Sequence, residues 1–182
     1  YCADVYPNSR NTVVELDARL AEYVREWFDI PKSPRVKIRV GDAGAVTRSF
    51  APASRDVVIR DVFAVDKTPA ELTGVDFVRT VDNSLAPGGL YILNCGDDRA
   101  LNAARAEAAA LLEVFEYVSI VADSAMLKGR RRGNIILAGS HVPLPQLGSA
   151  EAASISRVLM GGGVPAQYWD TEKVRAFARK GA

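Results

Sequence analysis

The chain has 182 residues, 48% hydrophobic and 25% charged, and its 23 Lys plus Arg against 22 Asp plus Glu leave a net charge of +1. That length makes one domain the default, with a core that needs no metal or disulfide framework. The balanced charge argues against nucleic acid or an anionic membrane as partner, and no apolar run approaches a membrane span or a signal peptide.

Short apolar runs alternate with helical periodicity along the whole chain. Residues 12–16 (Thr-Val-Val-Glu-Leu) read as a buried strand. Residues 17–28 follow as a helix, with Asp17 as N-cap and Leu20, Val24, Trp27 and Phe28 as its apolar stripe. Trp27, Phe28 and Tyr91 are expected in the core. Residues 36–40 (Val-Lys-Ile-Arg-Val) alternate strictly, the pattern of a half-exposed edge strand. Gly41-Asp42-Ala43-Gly44 turns into a short helix, and Val57-Val58-Ile59 forms a third strand ending in Arg60-Asp61. A helix starts near Pro69, a favoured first-turn proline.

Ala86-Pro87-Gly88-Gly89 is a strong turn before a fourth strand, residues 90–93. An alanine-rich helix spans roughly residues 100–114, and strands at 117–122 and 134–138 are joined by the basic loop 128–132. With no interleaved aromatics, Arg130-Arg131-Arg132 reads as a solvated hairpin tip rather than a nucleic-acid patch. A helix near 150–159, the Gly161-Gly162-Gly163 hinge, the aromatics Tyr168 and Trp169, read as exposed, and a short helix from about Thr171 complete the chain.

Cys2, Cys95 and the lone His141 cannot supply a zinc site of the usual ligand count. Reduced thiols in a cytoplasmic protein are the plain reading, and chemistry falls to carboxylates. Strands alternating with helices predict an α/β fold with a mostly parallel sheet covered on both faces. Ligands in such folds bind at the carboxyl ends of the strands. Glu15, Asp42, Asp61 and Asn94 stand at or just past those ends.

Glu15 suits the vicinal hydroxyls of a ribose, against the alternative of an acid that caps a strand–helix junction. Asp42 suits an exocyclic amine, with the backbone of Ala43 completing adenine recognition, against an Asx turn or helix cap. Asp61, after buried β-branched residues, needs either a cation such as Arg60 or a solvated cleft.

The ordered set Val-Val-Glu-Leu-Asp (13–17), Gly-Asp-Ala (41–43), Asp-Val-Val-Ile-Arg-Asp (56–61), Leu-Ala-Pro-Gly-Gly-Leu (85–90) and Gly-Asn-Ile-Ile-Leu-Ala-Gly-Ser (133–140) resembles the polyamine aminopropyltransferases, the spermidine synthases above all. The resemblance covers roughly residues 4–140 and implies a Rossmann-like, methyltransferase-type domain over 1–140. Residues 141–182 would then be a C-terminal helical extension packing on the same domain or on a partner subunit.

The resemblance further implies aminopropyl transfer from decarboxylated S-adenosylmethionine, a cosubstrate, to a diamine such as putrescine, with no covalently bound cofactor and no metal. Glu15 would hold the ribose, Asp42 and Ala43 the adenine, and Asp61 would help deprotonate the amine. A homodimer is the assembly it implies.

The chain departs from the family at several places. The family's second, amine-gripping acid is Ala64 by spacing, with Asp66 as a substitute only if the loop bends differently. Ser124-Ala125-Met126-Leu127 replaces a tyrosine-bearing loop. The family's first strand and glycine-rich loop have no counterpart before Glu15, so the natural polypeptide is expected to extend upstream. In this chain the expectation is a gap in the sheet, direct pairing of the strands ending at Glu15 and Asp61, or a strand donated by a neighbour. Two other functions are carried alongside: a non-catalytic adenosine-ligand-binding homologue, and an S-adenosylmethionine-dependent methyltransferase.

Overall fold

The computed structural model describes residues 1–65 and 67–179. They fall into two compact units, Tyr1–Phe50 and Ala51–Ala182.

In the first unit a four-residue helix, α1 (Cys2–Val5), precedes β1 (Asn11–Glu15) and α2 (Ala18–Trp27). The N-cap forms as the sequence predicts, with Asp17 accepting from the amides of Arg19 and Leu20 at 2.8 and 3.2 Å. β2 (Val36–Val40) runs parallel to β1, with Glu15 opposite Val40, and α3 (Ala43–Arg48) follows. The apolar stripe of α2 departs from expectation. Trp27 and Phe28 are 62% and 61% exposed, and Trp27 stacks on Tyr23 instead of entering a core. A two-stranded sheet offers a single helix too little surface to bury such a face.

The second unit is built on a five-stranded sheet of order β3-β4-β6-β5-β7. Its strands are β3 (Arg55–Arg60), β4 (Leu85–Asp97), β5 (Tyr117–Asp123), β6 (Gly133–Ser140) and β7 (Ala166–Trp169). β3 and β4 are parallel, whereas β6 runs antiparallel between β4 and β5, and β7 runs antiparallel along β5. The sheet is therefore mixed. The described strands form two sheets, β1-β2 in the first unit and β3-β4-β6-β5-β7 in the second.

Helices α4 (Gly74–Ser84), α5 (Asn102–Val114) and α8 (Thr171–Ala178) pack over one face of this sheet. Tyr91, Leu93, Cys95, Ile120, Ile135 and Leu137 are buried there. Successive strand residues point to opposite faces, and Ile92, Asn94, Val121 and Ile136 on the other face are only half-buried. The sheet is flanked by helices, as the alternation of strands and helices predicts, with its most buried side chains under α4, α5 and α8.

Several boundaries move for local reasons. Pro69 opens a single 3-10 turn over Ala70–Leu72, and extended Thr73 separates that turn from α4, whose first residue, Gly74, is at φ +78. The Pro-Gly-Gly turn is absorbed into β4 as an irregularity, the ladder jumping from Arg55–Leu85 to Val57–Leu90. α6 (Ser124–Leu127) buries Met126 where the family's loop carries a tyrosine. α7 (Ala150–Met160) leads through the glycines to β7, which the sequence does not announce. Tyr168 is buried, donating its hydroxyl to the Pro145 carbonyl at 2.7 Å, and Trp169 packs edge-on against Phe177. Both aromatics therefore pack within the C-terminal segment, Tyr168 buried and Trp169 half-buried, rather than standing exposed.

Candidate functional site

In the first unit the ends of β1 and β2 lie side by side, the Gly41 amide donating to the Glu15 carbonyl at 2.9 Å. The Glu15 side chain is half-buried, and its Oε1 accepts from the Asp17 amide at 2.8 Å. Its second oxygen has no hydrogen bond among the described residues. Glu15 therefore combines both readings of the sequence, one oxygen bracing the strand–helix turn and the other available. Asp42 is exposed and caps α3, its Oδ1 accepting from the Ala45 amide at 2.7 Å. Ala43 begins that helix. The two acids share one rim, and each spends one oxygen on its own backbone.

In the second unit Asp61 follows the carboxyl end of β3. Its Oδ1 accepts from Asn94 Nδ2 at 3.0 Å. The strand period explains the pairing: Asp61 continues the face of Val57 and Ile59, the face that Asn94 shares in β4. Arg60 points the other way. It is 4% exposed, with Nη2 2.7 Å from Glu107 Oε1 and Nη1 donating to the Leu72 carbonyl at 2.5 Å. The ion pair anticipated for Asp61 thus goes to Glu107, and Asp61 has no cation partner among the described residues.

Burial pushes the Glu107 carboxyl above its ordinary value, and the Arg60 charge pulls in the opposite direction. Burial raises the Tyr91 phenol too, with Arg60 again opposing. The Cys95 thiol is pushed up to about 12, by burial first and by Glu107 and Asp97 next. It is an inert thiol at neutral pH.

Glu107 carries no sequence motif. Its signal is helical spacing, since Ala104, Ala108 and Leu111 define a buried stripe on α5 that includes position 107. An acid on such a stripe needs a partner from the sheet below.

Beyond Asp61 the chain folds back on itself, Ala64 and Lys67 exchanging backbone hydrogen bonds of 2.8 and 3.3 Å. Ala64 is exposed and brings no acid to the turn. Asp66, the expected substitute, lies outside the described residues. At the same rim a cleft of about 530 Å³ is lined by Asp98, Arg99, Arg131 and Arg132. Arg131 pairs with Asp123, and that contact holds the Asp123 carboxyl below its usual value. The arginines give the cleft the wrong sign for a protonated diamine.

No family model matches the chain. A crystal structure of a probable spermidine synthase from Corynebacterium glutamicum is 61% identical, covering 98% of this chain and 64% of that one, with a TM-score of 0.95. The chain thus spans less than two thirds of that protein's length. Human methyltransferase-like protein 13, crystallised with SAH, has a TM-score of 0.63 at 24% identity over 87% of this chain and 72% of that one. Spermidine synthase from Thermotoga maritima has a TM-score of 0.53 at 14% identity, covering 73% of this chain and 45% of that one. Both share the fold. Among curated proteins, the mouse eEF1A lysine and N-terminal methyltransferase is 32% identical over 107 residues, 53% of this chain and 15% of that protein. The resemblance read from the sequence therefore holds: over nearly its whole length the chain is similar to a probable spermidine synthase, on an α/β fold shared with spermidine synthases and methyltransferases.

Proposed function

We propose that the protein containing this chain is a spermidine synthase-like aminopropyltransferase, moving an aminopropyl group from decarboxylated S-adenosylmethionine to a diamine such as putrescine. Glu15 takes the ribose hydroxyls, Asp42 with the Ala43 backbone takes the adenine, and Asp61 accepts the proton of the attacking amine. In the reaction the amine nitrogen bonds to the propyl carbon, the carbon–sulfur bond breaks, and its electron pair neutralises the sulfonium. A diamine arrives protonated, so an acid must relieve one end before attack. Asp66 remains the proposed grip on the far amine.

The observation that carries this reading is Asp61, oriented by Asn94 and left without a cation while its neighbour Arg60 is occupied by Glu107. An aspartate in that setting can accept a proton or hold an ammonium. The 61% identity to a probable spermidine synthase supports the same reading.

A second reading, methyl transfer from S-adenosylmethionine, is favoured by the curated methyltransferase relatives, which align with about half of the chain. Asp61 alone does not discriminate, because the lysine and N-terminal amines named for those relatives must also lose a proton before attack, so the product decides. The test supplies the intact protein with each cosubstrate in the presence of putrescine. Spermidine formed from the decarboxylated cosubstrate supports aminopropyl transfer, and a methylated product overturns it. With that activity goes a cytoplasmic homodimer, whose assembly light scattering tests.

A further inference from the structure

The loop between β3 and α4 carries Asp61 and is anchored by a buried device outside the acids assigned above. Arg60 lies on the helical face of β3, opposite Leu93 of β4, and its guanidinium forks. One nitrogen lies 2.7 Å from Glu107 of α5, and the other donates to the carbonyl of Leu72 at 2.5 Å. Leu72 is itself 2% exposed and ends the 3-10 turn at the far side of the loop. A single side chain thus ties the end of the strand to a residue twelve positions on, closing the loop across its chord.

The tip of that loop requires such a hold. Val65 sits at φ +63, a left-handed conformation that a β-branched residue rarely adopts, and its side chain is fully exposed. The Val65 side chain adds no packing to the turn, and strained backbone persists only when surrounding structure over-determines it. The surroundings here are the Ala64–Lys67 bridge at the tip and the Arg60 fork at the base.

We propose that Arg60 and Glu107 are positioning residues. Together they fix the 61–72 loop, and through it the placement of Asp61 and of the adjoining turn against the acceptor amine. The Glu107 charge, 2.7 Å from Nη2, holds the guanidinium under the sheet, and the Nη1 bond to Leu72 ties that contact to the loop. The inference rests on the proposed function for its kinetic consequence but not for its structural one.

The experiment therefore reads both. Arg60→Lys keeps a cation near Glu107 but lacks the forked second nitrogen that reaches Leu72. The double variant Arg60→Met/Glu107→Met removes both charges and fills the space with apolar atoms, so that no lone charge stays buried. In each, native-state trypsin cleavage after Lys67, followed by mass spectrometry, should accelerate about tenfold or more while global unfolding stays cooperative. KM for the diamine should rise about tenfold, with KM for the adenosyl cosubstrate within about twofold of the unmodified protein.

Cleavage after Lys67 unchanged in Arg60→Lys, or in a folded double variant, overturns the proposal and leaves the pair as an ordinary core contact. An unmodified protein that transfers no aminopropyl group defeats the proposed function, while the cleavage assay still decides whether the fork holds the loop.

Discussion

Asn94 donates its amide to the carboxylate of Asp61 at 3.0 Å, joining the residue that follows β3 to the carboxyl-terminal part of β4. The other end of that amide, Oδ1, is buried without a partner among the described residues. The cost of an unpaired buried oxygen is compensated only if its orientation is useful. Under the proposed function, that orientation fixes the aspartate for proton acceptance.

Replacing Asn94 with Ala should therefore lower turnover more than stability. A hydrogen bond to a charged group is worth about 1.5–3 kcal/mol, which corresponds to roughly one to two decades in rate if all of it is expressed in the transition state. Single-turnover kinetics on Asn94→Ala should show that loss in kcat, with the denaturation midpoint little changed.

The buried pair makes a different prediction. Glu107 has its folded pKa raised by burial above the ordinary 4.5. Its contribution to stability is therefore complete below that value and is lost as pH rises through the folded pKa. Arg60→Met removes the counter-charge, raising that pKa further. The variant should lose about 3–5 kcal/mol at neutral pH and recover part of it on acidification. Urea unfolding at several pH values measures the trend, and a deficit that shrinks as pH rises would contradict it.

Asp123 has the opposite sign. Its hydrogen bonds from Arg131 and the Ala125 amide lower the folded pKa below 3.8. Its stabilisation is therefore present above that value and is lost as pH falls through the folded pKa. The contact is solvent-exposed on the arginine side, so added salt should weaken it. Asp123→Asn should flatten the acid limb of the stability profile, read by thermal unfolding at low and high salt.

Gly139 on β6 abuts the ring of Phe115, and a Cβ there would run into Cδ2 of that ring. Phe115 is 2% exposed and packs against Tyr91 and His141, so it has little room to yield. Gly139→Ala should destabilise the second unit by about 1–3 kcal/mol, as overpacking does. Equilibrium unfolding with unchanged m-value would confirm the mechanism.

Much of this fold is legible along the chain. Asp17 announces α2 because a short acid before a helical stripe has one energetic use, and the alternation of residues 36–40 announces β2. β7 is not legible. Four residues have no measurable period, and pairing with β5 creates the strand. The length of β4 is hidden by Pro87-Gly88-Gly89, which reads as punctuation but is held in the ladder by its neighbours. Glu15 closes β1 and Asp42 and Asp61 follow β2 and β3, positions that the apolar runs before them mark, whereas Asn94 lies within β4. The partner of Arg60 is not visible. Adjacency suggests Asp61, whereas the pleat turns consecutive side chains to opposite faces and delivers Arg60 to Glu107, far along the chain.

The role proposed for Asp61 is to accept the proton of a diamine during aminopropyl transfer. Its most direct test is product formation by the intact protein and by Asp61→Asn, given decarboxylated S-adenosylmethionine and putrescine. Spermidine and methylthioadenosine should form in equal amounts, with the variant slowed at least about tenfold and still binding the cosubstrate as before. Equal turnover by the two proteins, or no spermidine from the unmodified one, would contradict it.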